Sequence, residues 1–139
     1  KPHQDSQAGW EAYADYFINV MVCIDEATLE NGCLEVAPRP NSASDFLLVG
    51  KEWEPLTEKQ TAAMDFTAYP TQPGDVIFFD SYAPHKSARN FTNSTRRLYF
   101  STYNRLSEGD HLAAYYADKR KNYPPDIERE ADKEYVYRV

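Results

Sequence analysis

The sequence predicts a mainly β domain with a short C-terminal helix. Three observations carry that reading. Runs rich in β-branched and aromatic residues recur at 16–25, 76–79 and 96–104, the composition of buried strands. Turn signals separate them, above all Asn31-Gly32 and Pro73-Gly74-Asp75. Strong helix formers gather at 107–121, and Pro124-Pro125 stops them. The 139 residues suffice for one domain with its own core, β over 1–105 and helix plus charged tail over 106–139.

Taken in order, His3-Gln4-Asp5 reads as a strand end followed by a loop. The run 16–25 has two faces. Ile18, Val20, Val22 and Ile24 form an aliphatic face suited to a packed core. Phe17, Asn19, Met21 and Cys23 mix an amide with soft side chains and suit a pocket wall. Cys33 to Ala37 resumes as a short strand that Pro38 and Pro40 end, since proline cannot donate to a ladder. Residues 41–63 read as loop with helical turns, Thr57 serving as N-cap of one. Phe66 to Tyr69 and Val76 to Phe79 are strands. In 96–104, alternation puts Arg96, Leu98, Phe100, Thr102 and Asn104 on one face. A single arginine on a mostly apolar face needs a buried anion as partner. The tail 126–139 is highly charged, and Tyr135 to Val139 reads as an edge strand.

A net charge of −7 argues against a nucleic-acid partner, because phosphate neutralisation needs clustered Lys and Arg. No apolar run approaches the roughly 20 residues that span a bilayer. Phosphate-loop, dinucleotide-binding, CxxC and nucleophile-elbow patterns are all missing from the sequence. Cys23 and Cys33 lie ten residues apart, compatible with a disulfide or with two free thiols on neighbouring strands. Asn90 and Asn93 stand in glycosylation-type tripeptides, short patterns that chance often produces.

The residues with chemistry are few. In a strand, i and i+2 project to the same side, so His3 and Asp5 present an imidazole and a carboxylate together. His85, from a distant strand, supplies a third ligand. Two imidazoles and one carboxylate form the facial set that leaves positions open for oxygen and substrate, and it suits Fe(II), although Mn, Co, Ni or Zn fit the same donors. Arg96 follows His85 by eleven residues. Its guanidinium fork holds a carboxylate by two parallel bonds, which lysine cannot reproduce. A ligand with one carboxylate there, and a second carboxylate and a keto group on the metal, is 2-oxoglutarate. Ser87, two residues after His85, is placed to donate to the same carboxylate. The third histidine, His111, reads as a surface residue or helix cap.

These residues resemble the phytanoyl-CoA dioxygenase family of Fe(II)- and 2-oxoglutarate-dependent oxygenases. The matching pieces are His3-Gln4-Asp5, the stretch Asn31 to Pro38, Pro73-Gly74-Asp75-Val76, and His85 through Arg96 with Asn90 five after the histidine. The resemblance covers about residues 1–105 and implies a double-stranded β-helix, the jelly-roll or cupin-like core, with an N-terminal part of the fold lying outside this chain. It implies that His3, Asp5 and His85 bind iron and that Arg96, assisted by Ser87, grips 2-oxoglutarate. Asn19 and Met21 then face the cosubstrate, and Trp10 and Asn90 are candidates for the substrate side. Where many members carry Pro-Gly-Ser-His, this chain has Pro38-Arg39-Pro40-Asn41. The stretch 115–129 is similar to tails of small-molecule members, aminophosphonate oxygenases among them.

The implied reaction hydroxylates a C–H bond of a small molecule, with O2 consumed and 2-oxoglutarate converted to succinate and CO2. Related halogenases carry a small residue where Asp5 stands, so Asp5 favours hydroxylation. The same reading implies a cytoplasmic, reducing setting and favours free thiols at Cys23 and Cys33. Two rivals stay open. A cupin-like metalloenzyme without 2-oxoglutarate would use the same three ligands and have no need of Arg96. A non-catalytic jelly-roll binding module would use both histidines structurally.

Overall fold

A computed structural model describes residues 1–39, 48–52 and 54–135. Its strands are β1 (Phe17–Cys23), β2 (Leu34–Val36), β3 (Thr67–Tyr69), β4 (Val76–Asp80), β5 (His85–Ser87) and β6 (Leu98–Asn104). They form two three-stranded antiparallel sheets, ordered β4-β1-β6 and β3-β2-β5. Successive strands cross between the sheets: β1 lies in the first, β2 and β3 in the second, β4 in the first, β5 in the second, β6 in the first. That winding is the double-stranded β-helix, and it removes sheet faces from water by stacking them.

The seam between the sheets is the core. Met21 of β1, Leu34 of β2 and Phe79 of β4 pack together, flanked by Val36, Ile77 and Leu98. Beside them Cys23, Ala27 and Cys33 form a second small cluster. The two cysteines are buried free thiols. They meet across the seam between sheets and do not lie on neighbouring strands of one sheet.

The inward face of β1 is the opposite of the one expected. Asn19, Met21 and Cys23 are buried, whereas Ile18, Val20 and Val22 are half-buried and Ile24 is exposed. Ile18, Val20 and Val22 share the outer surface of the sheet with Val76, Phe78, Tyr99 and Tyr103, all four exposed. Alternation separates two faces of a strand, but the position of the second sheet decides which is inside. For β6 the expected face is the one toward Cys23, Met21 and Asn19, which stand opposite Leu98, Phe100 and Thr102; Leu98 is half-buried there and Phe100 and Thr102 are exposed.

The first helix, α1 (Glu58–Thr61), starts where Thr57 caps it, its hydroxyl accepting from the Gln60 N–H at 3.3 Å. The second, α2 (Leu112–Asn122), is shorter than the 107–121 expectation at its start, because a 3-10 turn at Leu106–Glu108 precedes it. His111 occupies its N-cap position, with Nε2 2.6 Å from the Glu108 carbonyl. Expectations for residues 40–47 and for the strand at 136–139 lie outside the described residues; Tyr135 itself is not in a strand. No helix among the described residues is long and apolar enough to cross a membrane.

Two features fix the strand registers that carry the site. Gly32 turns the chain with φ +86, and a Cβ there would lie 2.3 Å from the Ala88 carbonyl oxygen. Gly32→Ala is therefore expected to cost about 3 kcal/mol, from the left-handed backbone and the clash with main chain, read as a fall in denaturant midpoint. At the other end Arg97 forks onto Asp25, with Nε to Oδ2 at 2.9 Å and a terminal nitrogen to Oδ1 at 2.8 Å. Its backbone N–H adds a third bond, 2.8 Å to Oδ2. Arg97 holds the Asp25 carboxyl well below the usual carboxylate range. A depressed folded-state pKa gives stability that is present above the unfolded value, about 3.9, and lost as pH falls below it.

Candidate metal centre

His3 lies in an isolated antiparallel bridge with His85 at the outer edge of β5. The pair exchanges both backbone bonds, His3 N–H to the His85 carbonyl at 3.0 Å and the reverse at 2.9 Å. Residues directly opposite on an antiparallel pair share a face. The two imidazoles accordingly sit side by side, with ring centroids 4.3 Å apart.

Asp5 joins them by a route that differs from the expected strand alternation. The chain stays extended through Gln4, φ −111 and ψ 132, then turns into a 3-10 helix at Asp5–Ala8. That bend still brings Asp5 Oδ1 to 3.2 Å from His3 Nε2 and 3.5 Å from His85 Nε2. One ligand atom from each of the three residues lies within 4.8 Å of the others.

The imidazoles are presented in one tautomer. His3 Nδ1 lies 2.9 Å from the Lys1 carbonyl and His85 Nδ1 3.1 Å from the Ala83 carbonyl. A carbonyl accepts, so each Nδ1 carries the proton and each Nε2 offers its lone pair to the shared centre. The protonation equilibria then split. Burial pulls His3 toward neutrality, but its hydrogen bonds to Asp5 and the Lys1 carbonyl, with the Asp5 charge, outweigh that and raise its pKa. For His85, burial dominates and lowers it, opposed in part by the Asp5 charge. A divalent cation suits this cluster, since it takes the place of the proton that His3 otherwise shares with Asp5.

The segment carrying His3 and Asp5 is clamped from behind. Gln4 is fully buried; its amide donates to the Tyr82 carbonyl at 2.7 Å and its oxygen accepts from Val49 N–H at 2.7 Å. Ser6 bonds Ser81 twice, backbone to backbone at 3.1 Å and hydroxyl to hydroxyl at 2.9 Å. Gln7 donates to the Lys51 and Glu54 carbonyls, both at 2.7 Å. Ser81 and Tyr82 lie in the turn leading to His85, so the clamp ties the two halves of the ligand set together. No motif in the sequence marks the contacts that Gln4, Ser6 and Gln7 make. The one available signal was the polar run Gln4-Asp5-Ser6-Gln7 directly behind the first ligand, and glutamine is ordinarily a surface residue.

The other expected site residues separate. Arg96 is half-buried, and its Nε is wholly enclosed with no hydrogen-bond partner among the described residues. A buried guanidinium nitrogen left unpaired is costly, and a ligand carboxylate would satisfy it. Ser87 is exposed at the end of β5, on the His85 side. Met21 is completely enclosed in the core against Leu34 and Phe79, without any surface of its own toward a ligand. Asn19 is engaged by Asp5 and Thr102. Asn90 is used by its own turn: its oxygen accepts from Thr92 N–H at 2.9 Å and the Thr92 hydroxyl at 2.8 Å, and its amide donates to the Ser94 carbonyl at 2.7 Å. That makes it a turn residue, whose amide and oxygen are both engaged locally. Trp10 packs against Phe17 at 5.1 Å and Tyr115 at 6.4 Å, its indole N–H buried and unpartnered among the described residues.

A double-stranded β-helix with two imidazoles and one carboxylate at its edge presents a facial ligand set of the kind that suits a mononuclear metal ion. Residues 1–98 match the family model of phytanoyl-CoA dioxygenase (PhyH), and the chain belongs to that family. It is 39% identical to a 2-aminoethylphosphonate dioxygenase of uncultured bacterium HF130_AEPn_1 over 136 residues, 96% of this chain and 50% of that protein. It is 40% identical to a methylphosphonate hydroxylase of Gimesia maris over 122 residues, 87% of this chain and 45% of that protein. The chain thus spans about half the length of these curated relatives. Among solved structures, EctD from S. alaskensis with 2-oxoglutarate and 5-hydroxyectoine aligns at TM-score 0.60 and 27% identity, over 77% of this chain and 38% of that one. EctD with bound Fe aligns at TM-score 0.58 and 28% identity, over 78% and 39%.

Proposed function

We propose that this chain carries the metal and cosubstrate sites of an Fe(II)- and 2-oxoglutarate-dependent dioxygenase that hydroxylates a C–H bond of a small phosphonate. One observation carries the reading: three convergent ligand atoms, two of them imidazole nitrogens freed by carbonyl-bound partners, with an enclosed and unpaired arginine nitrogen eleven residues beyond His85. The relatives named for 2-aminoethylphosphonate and methylphosphonate support the substrate class. The EctD structures with Fe and with 2-oxoglutarate support the cofactors.

In this reading His3, Asp5 and His85 hold Fe(II). Bound iron supplies the coupling of 2-oxoglutarate decarboxylation to insertion of one oxygen atom of O2 into the substrate C–H bond, the second atom leaving in succinate. The chain's own residues bind and orient. Arg96 neutralises the far carboxylate of 2-oxoglutarate, and Ser87 donates a second bond to it. Trp10 walls the substrate side, where its unpaired indole N–H suits a phosphonate oxygen. The enclosed thiols of Cys23 and Cys33 accord with a reducing cytoplasmic setting.

The test uses the full-length protein under anaerobic conditions, loaded with Fe(II) and titrated with 2-oxoglutarate. A weak visible charge-transfer band is expected. On admitting O2, succinate formation should accelerate with 2-aminoethylphosphonate or methylphosphonate, and phosphorus NMR should show a hydroxylated product. Metal binding without the band would favour a cupin-like enzyme that does not use 2-oxoglutarate. Failure to bind metal would favour a binding module. A band without acceleration by either phosphonate would remove the substrate class.

A further inference from the structure

Asp5 has close neighbours at both of its oxygens, and the donor to Oδ2 comes from β1. Oδ1 faces the two imidazole nitrogens at 3.2 and 3.5 Å. Oδ2 accepts from Asn19 Nδ2 at 2.7 Å. Asn19 is itself buried, 3% exposed, in the middle of β1. Its own oxygen accepts from the Thr102 hydroxyl at 2.8 Å, and Thr102 stands directly opposite it on β6.

This chain of bonds has one workable direction. A carboxylate is acceptor-only, so Asn19 must turn its NH2 toward Asp5. The amide flips easily on its own, and the flipped form would set two oxygens against each other. The Thr102 hydroxyl, donating to Asn19 Oδ1, stabilises the productive orientation. Asn19 is itself buried, so turning its acceptor end toward the anion would leave its donors poorly compensated. Without a donor at Oδ2 the Asp5 carboxylate would be free to swing about its terminal bond and offer either oxygen, or both, to the centre. Held as it is, it offers Oδ1.

We propose that Asn19, oriented by Thr102, is a positioning residue that fixes Asp5 as a one-oxygen metal ligand, rather than a contact to the cosubstrate. The proposal rests on the metal-site reading above. It adds a division of labour to β1: Met21 fills the core, Asn19 reaches past it to the ligand set, and β6 supplies both Thr102 and, before its first residue, Arg96.

The test measures Co(II) affinity and the Co(II) electronic spectrum of the full-length protein, and separately its 2-oxoglutarate affinity at saturating metal. Asn19→Ala is expected to weaken metal binding about 10- to 100-fold, the usual effect of losing a partner of a metal ligand, and to alter the spectrum. Its 2-oxoglutarate affinity, once metal is saturating, should stay close to wild type. Thr102→Val, which keeps the shape and removes the donor, should weaken metal binding several-fold, and Thr102→Ser should restore it. That rescue pair decides the matter if Asn19→Ala fails to fold. Wild-type metal affinity in Asn19→Ala, or a loss confined to 2-oxoglutarate, would overturn the proposal while leaving the metal site intact. Equal behaviour of Thr102→Val and Thr102→Ser would overturn the part assigned to Thr102. A wild-type protein that binds no Co(II) would instead remove the metal-site reading itself, and this proposal with it.

Discussion

His85→Ala is expected to abolish hydroxylation and to weaken Fe(II) binding by well over the roughly 100-fold reached when a mere partner of a ligand is lost. The expectation follows from how few groups define the centre. With His85 gone, His3 and Asp5 remain as neighbours on one bend of the chain, and two ligands from one segment do not close a facial set. His85 is also the ligand that joins the sheet to the bend. Its backbone exchanges both bonds with His3, and its ring stands edge-on to Phe79 at 4.9 Å in the core. The backbone bonds survive the substitution, so the fold should hold. Removing the ring opens a cavity at a site that is 6% exposed, a modest cost beside the loss of metal. Titration with Fe(II), alongside a melting curve, separates the two effects. Near-normal iron affinity in a folded His85→Ala protein would show that the metal lies elsewhere.

The convergence of His3, Asp5 and His85 was legible in the sequence because the pattern depends on residue types that few other roles demand together. The path between His3 and Asp5 was not. An i, i+2 pair on a strand and an i, i+2 pair at the entrance to a 3-10 turn look identical as His-x-Asp. What selects the turn is Gln4, drawn into the interior by the Tyr82 carbonyl and the Val49 N–H, both distant in sequence. The faces of β1 failed for a related reason. Ile18, Val20 and Val22 are the more apolar side, yet the seam takes Asn19, because Asp5 and Thr102 satisfy its amide there. A buried polar residue is tolerated once its partners are supplied, and those partners come from other elements. Asn90 shows the opposite case. Its turn is purely local, closed by Thr92 and Ser94, and an Asn with a Thr two residues on carries that signal in the sequence itself.

Arg96→Ala is the substitution that distinguishes the proposed enzyme from its nearest rival. The guanidinium sits two residues before β6, where Arg97 and Asp25 lock the strand start. Arg96 therefore cannot slide along the strand to find another partner without breaking that fork. Its enclosed Nε is unpaired among the described residues, so the protein by itself leaves a donor unsatisfied at a cost of about 1–3 kcal/mol. A dicarboxylate that satisfies it gains a charge-assisted pair in return. Deleting the side chain removes both the cost and the gain. Arg96→Ala should accordingly leave Fe(II) affinity and melting temperature near or slightly above wild type, while 2-oxoglutarate affinity falls by about 10- to 100-fold, the equivalent of the 1.5–3 kcal/mol of a charged hydrogen bond. Arg96→Lys should recover part of that loss, since it restores the charge without the fork. The charge-transfer band on titration with 2-oxoglutarate reads the affinity directly, with no need for turnover. An Arg96→Ala protein that binds 2-oxoglutarate normally would mean that the arginine is structural. The same three ligands would then have to serve chemistry that dispenses with this cosubstrate anchor.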